Sequence, residues 1–211
     1  LKMNYTKISF CFTHLNRLNF PHEGESLPLF KNCLSSLKNC LDTLPGLEYE
    51  IVISSFDTEE IYTQLNDFVY SVFPSSNVTI THHPIEDFTR GGGRQIAYEN
   101  STGNIIAFID ADMLFMRPYV IQKGLEITNR GHAYFPICFT MFSTGDGKWR
   151  PTGKGNCFIP KRILKNIQWL SKKTWGQEDD KFMDDLDAVT LIYRDNTPGW
   201  YHQYHPSPVI A

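Results

Sequence analysis

The chain has 211 residues, which is long enough for one α/β domain with a substantial hydrophobic core. A formal net charge of -3 and a pI near 6.2 argue against sequence-independent binding to nucleic acid. No apolar stretch reaches the length of a membrane span, and no basic run of the kind that docks on anionic lipid occurs.

The first half of the chain alternates predicted strands with predicted helices. An apolar stripe at helical spacing follows Pro28, and Ser26 is predicted to cap that helix. Residues 57–60 read as a capping box before the second helix. The alternation predicts an α/β fold with a mostly parallel central sheet flanked by helices. The predicted strands cover residues 7–13, 49–54, 78–81 and 105–109, and the third helix covers residues 95–101.

The second half of the chain is richer in aromatic residues and glycine-dense loops. No repeat or interdomain linker is visible in it, which predicts one domain over residues 1–211. The predicted elements are a helix over residues 119–128, a strand over 133–142, a loop over 143–155, a short helix over 162–170, a helix that ends near Leu186 and a strand over 189–193.

The five cysteines are widely spaced, odd in number and without a Cys-x-x-Cys pair. This spacing argues against a disulfide framework or a zinc site and favours reduced core residues. Together with the lack of a signal-peptide core at the N-terminus, it predicts a cytoplasmic protein. The cysteines are Cys11, Cys33, Cys40, Cys138 and Cys157.

The central feature of the sequence is an apolar strand, residues 105–109, followed by Asp110-Ala111-Asp112. Alternate side chains of a strand share a side, so Asp110 and Asp112 are expected to point the same way, with Ala111 turned away. Two carboxylates between apolar stretches are costly to bury without a cation, and two hard oxygen ligands suit Mg²⁺ or Mn²⁺. The alternative is a loop of solvated aspartates, because Asp-x-Asp alone is common.

Polar residues follow several of the predicted parallel strands, at 13–17, 54–57 and 110–112. The carboxyl ends of parallel strands meet at one edge of the sheet, where open α/β sheets bind ligands. The stretch from Arg90 to Arg94 contains three glycines, and as a flexible loop it would offer amides and two guanidiniums to a diphosphate. The alternative is an ordinary loop, because the Lys-Ser/Thr of a P-loop is missing.

A second acidic cluster reads Trp175-Gly176-Gln177-Glu178-Asp179-Asp180. Three carboxylates at a helix start are favoured by the helix dipole alone. The preceding Trp-Gly indicates a sugar-binding site, because an indole beside a glycine turn makes a platform for a sugar ring. A carboxylate held there can take a proton from an attacking hydroxyl.

Asp110-Ala111-Asp112 after a central strand, then the Trp-Gly-x-Glu-Asp-Asp segment, then a terminal histidine, resemble the nucleotide-sugar glycosyltransferases of the GT-A fold. The Glu-Asp segment is most similar to that of the β-1,4-galactosyltransferases and the chondroitin-polymerase-type family 2 enzymes. The resemblance runs from Ile8 to Pro206. It implies a Rossmann-like GT-A domain in which residues 1–112 bind the nucleotide-sugar and residues 113–211 bind the acceptor, with room for further domains in a longer protein.

The resemblance also implies roles for single residues on the donor side. Ser54-Ser55 stands where the family often has an aspartate, and Gln95 replaces an expected asparagine, so two donor contacts depart from the pattern. The implied donor-binding residues are Thr13, Arg17, Asp57, Arg94, Asp110 and Ala111, where Asp110 faces the ribose and Asp57 either contacts the uracil or ribose or caps its helix. The implied metal ligands for Mn²⁺ or Mg²⁺ are Asp112 with His202 or His205, of which His202 is favoured.

On the acceptor side the resemblance implies that Asp179 is the general base. Glu178 beside it and Asp180 would hold acceptor hydroxyls, and Trp175 and Trp149 would bind the acceptor. Residues 143–155 are expected either to close as a lid over the donor or to form a plain mobile loop. The implied reaction moves a hexose from a UDP-sugar of the UDP-glucose or UDP-galactose type to a glycan hydroxyl with inversion.

Two rival functions share the predicted strand-and-crevice plan. A sugar nucleotidyltransferase usually has a glycine-rich N-terminal loop with basic residues, and residues 9–17 contain no glycine. A non-catalytic carbohydrate-binding module would not need Asp110, Asp112 and Asp179 intact. Release of pyrophosphate from a nucleoside triphosphate supports the first rival, and unchanged turnover in Asp179→Asn contradicts the assignment of the base.

Overall fold

The computed structural model describes residues 6–171 and 176–206. The strands are β1 (Lys7–His14), β2 (Phe20–His22), β3 (Glu25–Leu27), β4 (Glu48–Ser55), β5 (Val78–His82), β6 (Ile105–Ile109), β7 (Met113–Phe115), β8 (Ala133–Tyr134), β9 (Ile137–Met141), β10 (Gly147–Trp149), β11 (Cys157–Pro160), β12 (Ile192–Tyr193) and β13 (Asn196–His202). The α-helices are α1 (Leu29–Asp42), α2 (Glu59–Val72), α3 (Arg90–Glu99), α4 (Tyr119–Asn129) and α5 (Gln177–Asp187). No helix in these ranges is both long and apolar enough to cross a membrane.

The central sheet has seven strands in the order β12-β8-β11-β6-β1-β4-β5. Strands β6, β1, β4 and β5 are parallel, and helices α1, α2 and α3 connect them in chain order. Strand β11 runs antiparallel to β6. A smaller sheet has the order β10-β9-β13-β7, and β2 pairs with β3 in a hairpin. The predicted α/β class with a mostly parallel central sheet is confirmed.

The core lies on both faces of the central sheet. In β6, Ile105, Ala107 and Ile109 pack on the face that α1 and α2 cover, and Ile106 and Phe108 pack on the opposite face. Every residue of β6 is buried, as predicted for a strand covered on both sides. All five cysteines are buried and free, as the sequence predicts.

The three consecutive glycines lie inside helix α3 and not in a loop, because the helix begins at Arg90. A Cβ on Gly91 would lie 1.9 Å from the carbonyl oxygen of Leu170, and a Cβ on Gly93 would lie 2.2 Å from the side chain of Thr13. The glycines therefore serve close packing of the helix on its neighbours. The prediction of a flexible loop with free amides was wrong.

Other predicted boundaries also moved. Helix α1 begins without a side-chain cap, and Ser26 pairs in β3 instead. The predicted strand over residues 133–142 is split after Tyr134 into β8 and β9, which join different sheets. The predicted helix over 162–170 is a 3₁₀ segment, Lys161–Asn166.

The C-terminal strands also differ from the prediction. The last predicted strand shrinks to β12, and β10 forms inside the predicted loop over 143–155. Strand β13 was not predicted. It contains Pro198-Gly199, where Gly199 has a φ of 80°, and its pairing with β9 is irregular between Asn196 and Tyr201.

A buried carboxylate ties the amino ends of the parallel strands together. Glu50 of β4 is 6% exposed and accepts hydrogen bonds from Lys7 Nζ at 2.8 Å and Ser9 Oγ at 2.5 Å. It also accepts from the backbone amides of Thr102 at 2.5 Å and Gly103 at 3.1 Å, in the loop before β6. Burial alone would raise the pKa of Glu50, but the hydrogen bonds, led by that of Lys7, lower it to about 2.

We expect Glu50→Gln to lower the free energy of unfolding at pH 7 by about 3 kcal/mol, since each unit of pKa depression represents about 1.4 kcal/mol. The pKa is lower in the folded state, so the contribution is complete above about pH 4.5 and is lost as the pH falls toward 2. Urea unfolding between pH 2 and 7 measures it. The exposed Glu48→Gln on the same strand is the control, and a pH-independent difference between Glu50→Gln and wild type would contradict the prediction.

Candidate active site

Polar side chains gather at the carboxyl edge of the central sheet, where β1, β4 and β6 end. Asp112 follows β6 and is 7% exposed. Its Oδ2 lies 3.0 Å from Nε2 of His205, and its Oδ1 lies 3.7 Å from Nε2 of His202. Strand β13 delivers the histidines, because it pairs with β7 so that His202 lies opposite Met113. The structure therefore brings both candidate histidines to Asp112.

The cluster of Asp112, His202 and His205 fits a divalent metal ion. One ligand atom from each residue lies within 4.8 Å of the others. Among the described residues, Oδ1 of Asp112 and Nδ1 of His202 are buried without a hydrogen-bond partner. Two imidazole nitrogens beside one carboxylate favour Mn²⁺ over Mg²⁺, which prefers oxygen ligands.

The charges in this cluster also suit a metal. Burial would raise the pKa of Asp112, but the hydrogen bond from His205 and the charges of His202 and Arg17 lower it well below its usual range. Burial lowers the pKa of His202, and Asp112 opposes that effect only in part. Asp112 is therefore an anion and His202 a neutral imidazole near pH 7, which are the forms that bind metal.

Asp110 is held from two sides. Its Oδ1 accepts a hydrogen bond from Arg94 Nη2 at 2.7 Å, and its Oδ2 accepts one from Asn156 Nδ2 at 3.0 Å. The backbone amide of Asp110 donates to Asn156 Oδ1 at 2.7 Å. Burial would raise the pKa of Asp110, but Arg94 lowers it. Asn156 was not singled out in the sequence, and no motif would have marked it.

Asp179 lies on the same buried guanidinium. Arg94 is 3% exposed, and its Nη1 donates to Asp179 Oδ1 at 2.5 Å. Asp179 belongs to the first turn of α5 and Arg94 to α3, so the contact joins the two halves of the chain. The predicted general base and the predicted ribose-binding carboxylate thus share one cation.

The neighbours of Asp179 occupy different environments. Glu178 is 3% exposed, and its Oε2 is buried without a hydrogen-bond partner among the described residues. Asp180 is exposed and accepts a hydrogen bond from Lys154 Nζ at 2.6 Å. Trp175 lies outside the described residues. The predicted acceptor contacts of these residues stay predictions.

Trp149 lies on the small sheet, away from the metal cluster. Trp149 of β10 pairs with Phe139 of β9, and Phe139 pairs with Tyr201 of β13, so the three residues form a row across the sheet. The rings of Trp149 and Phe139 meet edge to face, with centroids 5.6 Å apart. Because side chains alternate along a strand, this row points to the face opposite His202. The predicted contact of Trp149 with the acceptor stays untested, and this geometry does not favour it.

Arg150, the next residue, was missed as a candidate. Burial is the main cause of the lowered pKa of His202, and the positive charge of Arg150 adds to it. The loop around it is anchored, because Nη2 of Arg194 donates to the carbonyl oxygens of Pro151 and Gly153, each at 2.7 Å. Closure of residues 143–155 as a lid stays a prediction.

Two of the predicted donor contacts, Thr13 and Arg17, lie at the end of β1, and a third, Ala111, follows β6. Arg17 is half-buried, with Cζ 4.9 Å from the ring centroid of Phe20; burial lowers its pKa, while the charge of Asp112 opposes that effect. Thr13 packs on Gly93, and its Oγ1 is buried without a partner among the described residues. Ala111 is buried in the core, so only its backbone can meet a ligand.

Both carboxylate oxygens of Asp57 have partners inside the protein. Its Oδ2 lies 2.5 Å from Nδ1 of His14 and accepts from Ser55 Oγ at 2.7 Å. Its Oδ1 accepts from the amide of Asn16 at 2.7 Å, which holds Asn16 at a φ of 52° beside Arg17. Thr58, not Asp57, caps α2. A direct contact of Asp57 with the donor stays a prediction, and the geometry favours a role in shaping the turn that carries Arg17.

A mostly parallel sheet with an Asp-x-Asp motif at its carboxyl edge and a second acidic cluster on a later helix defines the GT-A class of glycosyltransferases. The sequence profile described as "Glycosyl transferase family 2" matches residues 25–186, so the chain belongs to glycosyl transferase family 2.

Solved structures of TarS from S. aureus share the fold. TarS 1–349 in complex with UDP-GlcNAc matches with a TM-score of 0.71 and 14% identity, over 95% of this chain and 59% of that chain. TarS 1–349 in complex with UDP gives a TM-score of 0.69 and 13% identity, over 95% and 61%. This chain therefore spans about 60% of the length of these TarS chains. A comparison with curated proteins gave no match.

We expect Mn²⁺ with UDP to raise the melting temperature of the wild type and to leave that of Asp112→Asn unchanged, because the amide lacks the charge that binds the ion. At a ligand concentration of 100 times the dissociation constant, binding raises the free energy of unfolding by about 2.7 kcal/mol. Differential scanning fluorimetry measures the shift. Asp67→Asn, which changes an exposed carboxylate of α2, is the matched control, and equal shifts in all three proteins would contradict the assignment.

Proposed function

We propose that this chain is a metal-dependent, inverting glycosyltransferase that moves a hexose from a UDP-sugar to a hydroxyl of a glycan acceptor. The observation that carries the proposal is the arrangement at one sheet edge. A three-residue metal cluster at Asp112 and a carboxylate on α5, Asp179, are connected through Asp110 and Arg94. Membership of glycosyl transferase family 2 supports the reaction class, and the TarS complexes with UDP-GlcNAc and UDP support a UDP-linked donor.

The donor side of the mechanism is electrostatic. Asp112 with His202 and His205 would hold Mn²⁺, which would offset the charge that develops on the departing diphosphate. Arg17 and Arg150, whose charges help lower the pKa values of Asp112 and His202 respectively, would add positive charge to the same oxygens. Asp110 would bind the ribose.

The acceptor side of the mechanism is a proton transfer. Asp179 would take the proton of the acceptor hydroxyl as the hydroxyl oxygen bonds to the anomeric carbon. The bond from that carbon to the diphosphate oxygen breaks on the opposite side, and one displacement inverts the configuration. The unpartnered buried Oε2 of Glu178 supports a contact with an acceptor hydroxyl, because a buried acceptor atom gains by finding a donor.

Several narrower statements belong to the same proposal. The donors to test first are UDP-glucose and UDP-galactose, with UDP-GlcNAc beside them. Residues 1–112 would bind the donor and residues 113–211 the acceptor, within one GT-A domain. The cytoplasmic location predicted from the sequence stays a prediction.

We expect Asp179→Asn to lower kcat by about 10²-fold or more, because general-base catalysis contributes about 10² to 10⁴-fold. Binding of UDP with Mn²⁺ should be retained, since Asp179 lies outside the metal cluster. Initial rates of transfer with a screened UDP-sugar and acceptor give kcat, and calorimetry gives UDP affinity.

The matched control is Asp184→Asn, which changes an exposed carboxylate of the same helix. Unchanged turnover in Asp179→Asn would remove this residue from the role of base. Pyrophosphate release from a nucleoside triphosphate would instead identify a sugar nucleotidyltransferase. Sugar binding without any turnover by the wild type would identify a carbohydrate-binding module.

A further inference from the structure

The two carboxylates that share Arg94 are not held equally. Asp110 makes two hydrogen bonds with Asn156, one through its side chain and one through its backbone amide, and neither involves Arg94. In the described part of the chain, Arg94 is the one side chain that hydrogen-bonds to the carboxylate of Asp179. Loss of Arg94 would therefore release Asp179 and leave Asp110 largely in place.

Besides the two carboxylates, Trp169 and Gly155 confine the guanidinium of Arg94. Its Cζ lies 4.5 Å from the ring centroid of Trp169, in a cation–π contact. Trp169 in turn stacks on Phe182 at 3.7 Å, and Phe182 follows Asp179 by one turn of α5. On the far side, a Cβ on Gly155 would lie 2.5 Å from Nη2 of Arg94. The guanidinium thus has little room to move.

Helix α3 is fixed as firmly as the guanidinium it carries. Gly91 lies against the backbone carbonyl of Leu170, next to Trp169, and Gly93 lies against Thr13 at the end of β1. The backbone amide of Trp169 donates to the side chain of Gln95 at 3.3 Å. These contacts fix the position of α3, and therefore of Arg94, relative to the central sheet and to residues 169–170.

We propose that Arg94 is a positioning residue that sets the location of Asp179 relative to the donor-binding carboxylate Asp110. This inference rests on the proposed function and deepens it. One planar guanidinium reaches both carboxylates with separate nitrogens, so the distance between the base and the donor site is set by a rigid group. Lysine at this position would keep the charge but would present a single nitrogen on a flexible stem.

The energetics of burial support a positioning role over a purely structural one. A buried arginine with two carboxylates is weak as a source of stability, because desolvation of the charges offsets much of their attraction. A pair of apolar side chains would stabilise the contact between α3 and α5 at least as well. What the ionic arrangement adds is a fixed position for one oxygen of the base, Oδ1 of Asp179.

The test is Arg94→Lys, assayed for transfer and for UDP binding in the presence of Mn²⁺. We expect kcat to fall about 10²-fold, because a displacement of about 1 Å in a reacting group costs about that much. UDP affinity should stay within about 2-fold, since Asp110 keeps its bonds to Asn156. The surface variant Arg130→Lys, which changes an exposed arginine paired with Glu126, is the matched control and should behave as wild type. A loss of UDP affinity with kcat unchanged would overturn the proposal, because it would make Arg94 a donor ligand only.

A double variant separates action through Asp179 from independent action. If Arg94 works by positioning the base, Arg94→Lys should change the residual rate of Asp179→Asn by less than about 3-fold, since effects of residues that act as a unit are not additive. A full additional 10²-fold loss would overturn the proposal.

A crystal structure of Arg94→Lys tests, without an activity assay, whether Arg94 holds Asp179 in place. We expect the carboxylate of Asp179 to leave its present place while Asp110 stays bonded to Asn156. An unmoved Asp179 would overturn the inference. A wild type that transfers no sugar from any nucleotide donor would instead overturn the proposed function, and this structural readout would still decide whether Arg94 sets the place of Asp179.

Discussion

The constraint on which the structure depends is the burial of negative charge at the end of β6. Asp112 is buried and Asp110 is half-buried, within three residues of chain, and each needs a cationic or polar partner to remain ionised. Each finds a different one. Arg94 of α3 meets Asp110, while His202 at the end of β13 and His205 just after it meet Asp112. The separation pairs one carboxylate with a guanidinium and the other with two imidazoles, where we propose that a metal ion binds.

Packing at glycines makes these partnerships possible. Helix α3 can approach the sheet and the 169–170 segment closely only because Gly91 and Gly93 have no Cβ. Gly155 leaves the space that the guanidinium of Arg94 occupies, and Asn156 beside it holds Asp110. These glycines, which in the sequence suggest only loops, therefore allow the charged groups to meet.

Much of the fold was predictable because it follows local patterns. The strands at β1, β4, β5 and β6 and the helices α1, α2 and α4 have apolar periodicities that survive in the structure. The errors fall where tertiary packing overrides a local signal. A triple glycine predicts a loop, yet close packing makes it helical, and β13, which no local pattern predicted, forms by pairing with β7 and β9.

The sequence by itself determined the kinds of chemistry available: two spaced aspartates after a buried strand, a later acidic cluster at a helix start and two terminal histidines. Only the tertiary structure decided which of these groups meet. Arg94 and Asp179 are brought together by the crossing of α3 and α5, and His202 and His205 reach Asp112 through the pairing of β13 with β7. The physical reason is that hydrophobic periodicity sets where each element is buried, whereas contacts between charges depend on angles and registers that only the complete packing fixes.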